Sequence, residues 1–299
     1  MINVRNIIKK FDEYTAIDNL SLEIGNSSIY GLVGYNGAGK TTLLKIMAGV
    51  YLPDSGTVEL DGTDIFEHPE VKQDLFYVPD DLYFSVASTM NSMAKYYKSF
   101  YPRFSAETFE KLSELFGLKT SKRISGFSKG MQRQAEMVLG LSTLPKAILL
   151  DESFDGLDPA KRNLTKKLLL DYMAEKECSV IISSHNLHEL ADMCDHIALI
   201  NGQKIAMNCS VDDMNGSRCK FRLAFAEKIS REMFREIKLK NYREDGKIVS
   251  FTVSDRVDEA EQKIKALNPV LLEKFPLSLE EIFLEEMEDT DYDFEKLFR

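Results

Sequence analysis

A chain of 299 residues, 44% of them hydrophobic, has room for one large globular domain and a smaller one. Its formal net charge of −10 argues against nucleic acid as a partner, because binding a phosphate backbone requires a basic face. No signal peptide or membrane span is recognisable, so we expect a cytoplasmic protein; the four thiols lack metal-ligand spacing and are expected to be buried or incidental, namely Cys178, Cys194, Cys209 and Cys219.

Two segments near the N-terminus, residues 2–7 and 16–24, alternate between apolar and polar residues and predict two half-buried strands. The polar connection at residues 9–15 carries the aromatic rings of Phe11 and Tyr14. These rings either face a base or cover the edge of the sheet.

The next strand leads directly into a glycine-rich turn and a helix. Four residues fill the phosphate-loop pattern G-x-x-x-x-G-K-[ST], namely Gly34, Gly39, Lys40 and Thr41. Glycines let backbone N–H groups face a phosphate, and the helix N-terminus adds partial positive charge. We expect Lys40 to bind phosphate oxygens, Thr41 to bind Mg²⁺ and Thr42 to extend the same wall. The alternative is a turn without a ligand.

Two further strand candidates follow the first helix. Residues 56–60 end in an Asp-Gly hairpin signal, and residues 75–78 form a buried-strand candidate. Asp80 and Asp81 come next, and this pair of carboxylates either approaches a metal or forms a solvated acidic turn.

Residues 85–143 change to helical spacing and predict a helical lobe inserted between strands. Pro102 separates its helices. The residues expected to share helix faces are Met90, Met93, Ala94 and Tyr97, and then Phe109, Leu112, Leu115 and Phe116.

A Ser-x-Gly turn at Ser128 and Gly130 stands directly before another helical segment. Such a turn offers N–H groups and a hydroxyl to a phosphate. Alternatively, Ser128 is only the N-cap of the helix.

An apolar run at residues 146–150 predicts a central parallel strand that ends in Asp151 and Glu152. Beside a phosphate loop, we expect Asp151 to hold Mg²⁺ opposite Thr41 and Glu152 to polarise an attacking water. The alternative is a polar pair that merely ends the strand.

A buried strand at residues 180–184 ends in His185. A histidine there is commonly a turn residue, but the strand order brings it to the rim that holds Asp151, where we expect contact with a γ-phosphate. Glu189 then occupies the capping-box position of the next helix.

Taken together and in this order, the motifs resemble those of the ATP-binding subunit of an ABC transporter over roughly residues 1–210. The resemblance implies an α/β fold, the P-loop NTPase fold of ABC ATPases. This fold has a mixed core sheet with helices, an N-terminal antiparallel β part and an inserted helical subdomain at about residues 85–143. We place the ATP-binding domain at residues 1–214.

The resemblance also implies ligands and roles. ATP and Mg²⁺ are the expected ligands, with Phe11 stacked on adenine, Glu152 as the catalytic base and His185 at the γ-phosphate. Metal binding is implied for Thr41, Asp80 and Asp151. Nucleotide binding is implied for Phe11, Gly34, Asn36, Gly37, Ala38, Gly39, Lys40, Thr41, Thr42, Ser128, Gly130 and Asp158.

Members of this family work as head-to-tail dimers that sandwich two ATP molecules, and the turn matching Ser128 and Gly130 clasps ATP on the opposite protomer. Asp158 falls in the loop that joins the protomers. We therefore expect a second ATPase subunit, identical or not, and a separate integral membrane permease. The chain is expected on the cytoplasmic face of that membrane.

Two motifs depart from the family pattern, the signature motif and the Q-loop. The common signature is Leu-Ser-Gly-Gly-Gln, and here Lys129 and Met131 stand at its third and fifth positions, a variant that resembles ABC-2 type exporters. Asp80 stands where the family has the Q-loop glutamine, and we expect it to accept the metal or a water.

Residues 215–299 predict a small α+β accessory or regulatory domain behind a linker at 215–217. A last helix opens with Ser278 and Glu281 as a capping box and again resembles ABC-2 exporter ATPases. The acidic end at residues 285–295 is a solvated charge run or a regulatory or dimer-contact surface. The other predicted elements are strands at 220–225 and 248–253 and helices at 229–237 and 257–267.

We predict an ATPase that dimerises around ATP and powers a permease, with export of peptide, antimicrobial or lipid cargo. One alternative is a soluble ABC-type ATPase that acts on ribosomes or DNA, for which paired cassettes, coiled-coil inserts or basic arms are typical. The other is a small-molecule kinase, which leaves the Ser128 turn and His185 without a role.

Overall fold

The computed structural model describes residues 1–187, 190, 192–213, 218–228 and 230–288, with side chains in the last helix described to residue 283. The chain divides into two compact units, Met1–Asn208 and Cys209–Arg299, whereas the sequence places the boundary after residue 214. Three predicted features lie outside the described residues, namely the linker at 215–217, Glu189 and the acidic end after residue 288.

The first unit combines two sheets with helices. Its elements in chain order are β1 (Ile2–Phe11), β2 (Tyr14–Ile24), β3 (Ile29–Val33), α1 (Lys40–Met47), β4 (Ser55–Leu60), β5 (Thr63–Asp64), β6 (Leu75–Val78), α2 (Met90–Phe100), α3 (Ala106–Leu115), α4 (Lys129–Ser142), β7 (Ala147–Asp151), α5 (Pro159–Lys176), β8 (Ser179–Ser184), β9 (His196–Asn201) and β10 (Lys204–Ser210).

The smaller sheet of this unit is antiparallel and has the order β2-β1-β4-β5. Its first two strands are longer than predicted, because the connection expected at residues 9–15 shrinks to a turn at residues 12–13, with a φ of 50° at Asp12. Phe11 and Tyr14 therefore pair directly across this hairpin. The Asp-Gly hairpin predicted between β4 and β5 is present.

The larger sheet has the order β10-β9-β3-β8-β7-β6, and the strands from β9 to β6 run parallel. Every residue of β3 and β7 is buried, which explains their continuous apolar sequences. Since parallel strands end at the same edge of a sheet, the segments that follow β3, β6, β7 and β8 meet there, as the sequence predicts.

Helix α1 shares one apolar core with both sheets. Burial of each of its large side chains contributes roughly 1.5–3 kcal/mol and fixes the helix at the end of β3. Four side chains of α1 are at most 1% exposed, namely Leu43, Leu44, Ile46 and Met47.

The helical lobe, defined as α2, α3 and α4, lies within the predicted range 85–143, and Pro102 stands between its first two helices. The prediction that Leu115 shares a helix face with Phe109 and Leu112 was wrong, because Leu115 is 50% exposed whereas the other two side chains are buried. Phe109, Leu112 and the adjacent Ser113 are buried, and continuing this helical spacing leads to residue 116. Among the described helices, none combines the length and apolar composition that crossing a bilayer requires.

The elements of the second unit, in chain order, are β11 (Cys219–Ala224), the 3₁₀ turn Arg231–Phe234, β12 (Lys240–Asp245), β13 (Ile248–Val253), α6 (Val257–Ala266), β14 (Leu271–Pro276) and α7 (Leu279–Glu288). The four strands form an antiparallel sheet of order β12-β13-β11-β14. If the 3₁₀ turn is counted as a helix, the chain order up to β14 is β-α-β-β-α-β, and α7 follows.

Several predictions for this unit are confirmed and one was wrong. The helix expected at residues 229–237 is reduced to the 3₁₀ turn, whose Phe234 packs against Phe251 at 5.0 Å between ring centroids. The capping box of α7 is present, since Glu281 N–H donates to Ser278 Oγ at 3.2 Å and Ser278 N–H donates to Glu281 Oε2 at 3.0 Å.

Candidate nucleotide site

The turn between β3 and α1, residues 34–42, leaves little room for side chains. Gly39 has a φ of 107°, and a Cβ there would lie 2.6 Å from the carbonyl oxygen of Ala16. A Cβ at Gly34 would lie 2.7 Å from the carbonyl oxygen of Ile200. These two positions require glycine, and the backbone N–H groups that open α1 are available to an anion.

Lys40 places a positive charge inside this turn. Its residue is only 5% exposed, and its ammonium donates to the carbonyl oxygen of Gly34 at 2.7 Å. The same nitrogen lies 3.5 Å from Oε1 of Glu152. A buried ammonium needs such oxygen partners, and the oxygens of a triphosphate are of the same kind.

Asp151 is fully buried and surrounded by hydroxyl groups. Thr41 and Ser183 donate to its Oδ1 at 3.1 and 2.6 Å, and Tyr77 donates to its Oδ2 at 3.1 Å. Burial, followed by the charge of Asp151, raises the pKa of Tyr77, so this phenol stays a donor. The carboxylate is thereby aimed at Thr41, and both offer the hard oxygen ligands that Mg²⁺ prefers.

Glu152 adopts an unusual backbone conformation at the end of β7. Its φ is 46°, and its N–H donates to Ser183 Oγ at 3.1 Å. The carboxylate Oε2 lies 2.9 Å from Nδ1 of His185. A left-handed non-glycine residue at a strand end is typical of a functional position, and here it directs the carboxylate between Lys40 and His185.

The phosphate loop and Glu152 border an open pocket of about 280 Å³, here called the nucleotide pocket. Phe11 and Tyr14, at 41% and 51% exposure, both line it, and the Tyr14 hydroxyl donates to the carbonyl oxygen of Gly37 at 3.0 Å. The Phe11 ring also contacts Tyr51 edge-on. The same ring therefore lines the pocket and covers the edge of the sheet. The lining residues are Phe11, Tyr14, Ala16, Tyr35, Asn36, Gly37, Gly39, Lys40, Thr41, Thr42, Asp80 and Glu152.

Asp80 reaches the nucleotide pocket but is also part of an ion pair. Arg133, on α4, donates from Nη2 to Asp80 Oδ1 at 2.8 Å and from Nη1 to the carbonyl oxygen of Pro79 at 3.1 Å. Asp81 is exposed. Within this structure Asp80 faces a guanidinium rather than Thr41, and its predicted role as a metal ligand stays a prediction.

The signature turn, residues 127–132, is ordered by its own contacts. Ser128 Oγ accepts the N–H of Met131 at 3.3 Å, and the Gln132 amide donates to the carbonyl oxygens of Ile124 and Phe127 at 3.2 Å each. Ser128 is thus the N-cap of α4. Within the described part of the chain, neither Ser128 nor Gly130 lines the nucleotide pocket.

Asp158 likewise serves as an N-cap. Its carboxylate accepts the N–H of Lys161 at 3.0 Å at the start of α5, and it does not contribute to the described lining of the nucleotide pocket. The predicted residues therefore fall into two groups. The phosphate loop, Asp80, Asp151, Glu152 and His185 meet at one edge of the sheet, while the signature turn and Asp158 stand apart from the pocket.

Three polar residues of this region were not predicted from the sequence. Tyr77 and Ser183 each stand one residue before the end of a strand beside β7, and this position is the signal that was available. Arg133 gave no such signal, because only the packing of α4 brings it to Asp80. Three of the four cysteines, Cys178, Cys194 and Cys219, are buried as expected, and Cys209 is half-buried. Burial raises the pKa of Cys178 and Cys194 to about 12, so both thiols remain protonated.

A glycine cradle at a helix N-terminus, a buried lysine and a threonine beside a buried aspartate fit a nucleoside triphosphate with Mg²⁺. The fold and these residues define a P-loop ATPase. The sequence profile of the family described as "ABC transporter" matches residues 17–155.

Comparison with individual proteins extends this result. The ABC transporter ATP-binding protein YtrB of Bacillus subtilis is 29% identical over 284 residues, which cover 95% of this chain and 97% of that protein. The Nod factor export ATP-binding protein I of Cupriavidus metallidurans is 30% identical over 214 residues, covering 69% and 70% of the two chains. A solved ATP-binding subunit of an ABC transporter shares the fold with a TM-score of 0.67 at 22% identity, covering 72% of this chain and 92% of that one.

The chain belongs to the ABC transporter family, as an ATP-binding subunit with ATPase activity. Its similarity to YtrB extends through almost the whole chain and therefore includes the second unit.

Proposed function

We propose that the chain binds ATP together with Mg²⁺ at its phosphate loop, and that a second ATPase subunit covers this nucleotide with its own signature turn. One observation carries the proposal. The phosphate loop and Glu152 line one pocket, with Asp151 hydrogen-bonded to Thr41 of that loop, whereas Ser128, on the same chain, lies outside the described lining. A signature turn that serves a nucleotide must therefore serve one on another subunit.

The chemistry follows from the side chains present. Lys40 and the first N–H groups of α1 bind and orient the phosphate oxygens. Thr41 and Asp151 would hold Mg²⁺, which supplies charge neutralisation at those oxygens. Glu152 accepts a proton from the attacking water, and His185, hydrogen-bonded to it, keeps the carboxylate in position.

ATP hydrolysis drives the movement of a separate membrane permease, and the two proteins work together as an exporter. The Nod factor export protein among the relatives supports export, and Tyr83 and Val86, at 91% and 75% exposure in the segment before α2, offer apolar surface to a protein partner. Such a subunit works at the cytoplasmic face of the membrane. Purification of the tagged chain from detergent extracts should recover a multi-span membrane protein, and recovery of ribosomes instead would support the soluble alternative.

Replacing the proposed base tests the activity directly. We expect Glu152→Gln to bind ATP but to hydrolyse it about a thousandfold more slowly, because an amide cannot accept the proton. Glu175→Gln is the matched control, since Glu175 is an exposed glutamate on α5. ATP affinity and steady-state phosphate release should be measured for both. Unchanged turnover in Glu152→Gln would remove Glu152 from its assigned role.

A further inference from the structure

Two arginines of the helical lobe bind the two ends of β6. Arg103 donates to Asp74 Oδ1 at 2.6 Å, just before the strand, and Arg133 donates to Asp80 Oδ1 at 2.8 Å, just after it. Both contacts join the lobe to the same strand. The two ion pairs can be compared directly, because the Arg133–Asp80 pair lies at the nucleotide pocket and the Arg103–Asp74 pair does not.

The two arginines differ in burial and in position. The side chain of Arg133 is 11% exposed and that of Arg103 is 44% exposed, whereas the carboxylates differ in the opposite sense, with Asp80 56% and Asp74 26% exposed. Asp80 lines the nucleotide pocket, and Asp74 does not belong to the described lining. A second hydrogen bond, from Arg133 to the carbonyl oxygen of Pro79, fixes the guanidinium in this place.

The charges around the pocket give this position its importance. Asp80 and Glu152 are the carboxylates and Lys40 is the single ammonium among the described lining residues, and a third carboxylate, Asp151, accepts a hydrogen bond from the lining residue Thr41. A triphosphate adds several negative charges, so an uncompensated carboxylate at Asp80 would repel it. The guanidinium of Arg133 supplies the missing compensation from outside the pocket.

Helix α4, which carries Arg133, is packed tightly enough to hold the guanidinium in place. It lies in the second turn of α4, and the same helix packs closely on β6 further along. A Cβ at Gly140 would lie 2.4 Å from the ring of Phe76, so the helix approaches the strand as closely as glycine allows. The guanidinium therefore has a fixed position relative to the end of β6.

We propose that Arg133 is a positioning residue of the nucleotide site, which neutralises Asp80 at the edge of the pocket and thereby sets the affinity for the triphosphate. This inference rests on the proposed function, because it assumes that ATP binds at the phosphate loop.

A double-mutant cycle on ATP affinity tests the inference without any need for turnover. We expect Arg133→Gln to weaken ATP binding about tenfold, because it exposes the charge of Asp80. Asp80→Asn should bind ATP at least as tightly as the wild type, and the double variant should return to within about twofold of it. Weaker binding by Asp80→Asn would favour Asp80 as a ligand of Mg²⁺ and would overturn the inference. The dissociation constant of a fluorescent ATP analogue, with Mg²⁺ present, is the readout.

Two further measurements separate charge compensation from a merely structural role. The loss in Arg133→Gln should shrink in high salt, since ions screen the exposed carboxylate. Arg133→Lys keeps the positive charge and should retain most of the affinity. Arg103→Gln is the matched control, which removes an ion pair from the same strand and should leave ATP affinity unchanged.

The outcomes are distinguishable. If the wild-type chain fails to bind ATP, the proposed function itself is wrong. If the wild type binds ATP and Arg133→Gln binds it equally well, the function stands and the inference is overturned. An equal loss in Arg133→Gln and in the double variant would also overturn it, because removal of Asp80 would then give no rescue.

Discussion

The phosphate loop and the signature turn use the same local device in two different surroundings. Each is a glycine-containing turn that opens a helix, α1 in one case and α4 in the other. The phosphate loop is closed by groups from distant parts of its own chain, since Thr41 meets Asp151 and Lys40 meets Glu152. Among the described residues, the hydrogen bonds of the Ser128 side chain are local, since its Oγ accepts the N–H of Met131 at the start of α4. A helix N-terminus becomes a complete site only when other elements converge on it, and we propose that for the signature turn those elements come from another subunit.

The largest expected effect comes from a variant that changes the charge of the signature turn and keeps its helix cap. Aspartate caps helices about as well as serine, but its carboxylate repels phosphate. We expect Ser128→Asp to retain the melting temperature and to lower ATP hydrolysis about a hundredfold, as the loss of a transition-state contact does. Circular-dichroism melting and phosphate release measure the two effects.

Ser105 provides the matched control for this variant. It caps α3 in the same lobe and accepts the N–H of Thr108 at 3.1 Å, just as Ser128 caps α4. Ser105→Asp should leave both melting and hydrolysis unchanged. If Ser128→Asp hydrolyses ATP at the wild-type rate, Ser128 does not approach a triphosphate and the comparison fails.

The two regions also differ in the surroundings of their buried carboxyl groups, and we expect a smaller effect on stability from this difference. Asp151 receives three hydroxyl donors, whereas Glu136 of α4 is 6% exposed and accepts one hydrogen bond in the described network, from Tyr97 at 3.0 Å. Burial raises the pKa of Glu136 from 4.5 to about 7, against the opposing effect of that hydrogen bond. Its charge therefore costs stability in the folded state.

The sign of the pH dependence follows from this shift. The folded chain binds the Glu136 proton more tightly than the unfolded chain, so the contribution of Glu136 to stability is greatest at low pH and is lost as pH rises from 4.5 to about 7. We expect Glu136→Gln to be more stable than the wild type at pH 8 by up to a few kcal/mol, with the difference shrinking at pH 5.

Denaturant unfolding at the two pH values measures this difference. Glu110→Gln, at an exposed position of α3, should show no such dependence. A Glu136→Gln variant that is no more stable than the wild type at pH 8 would show that the buried carboxylate carries no cost.

The sequence predicts those features in which neighbouring residues carry the whole signal. The phosphate loop is contiguous, so its strand, turn and helix are all predicted, and Asp151 and Glu152 follow from a strand that is apolar throughout. Tyr77 and Arg133 are different, because the pairing of β6 with β7 and the packing of α4 bring them to the site. Pairwise contacts between distant segments have no periodicity that a single sequence can display.

The same reasoning explains the elements that were missed in the second unit. β12 has the sequence Lys-Asn-Tyr-Arg-Glu-Asp, which lacks apolar alternation because it is an edge strand with mostly exposed residues. Its pairing with β13 makes it a strand. β13 itself is predicted to the residue, since its burial is visible in its own sequence.

We propose that the signature turn of this chain covers ATP held by another ATPase subunit. The decisive experiment is the structure of the Glu152→Gln variant, loaded with ATP and Mg²⁺, in the complex isolated from cells. We expect Ser128 Oγ within about 3 Å of a phosphate oxygen of an ATP molecule whose phosphate loop belongs to the other subunit. An ATP-loaded complex in which Ser128 contacts no nucleotide would show that the signature turn does not cover ATP.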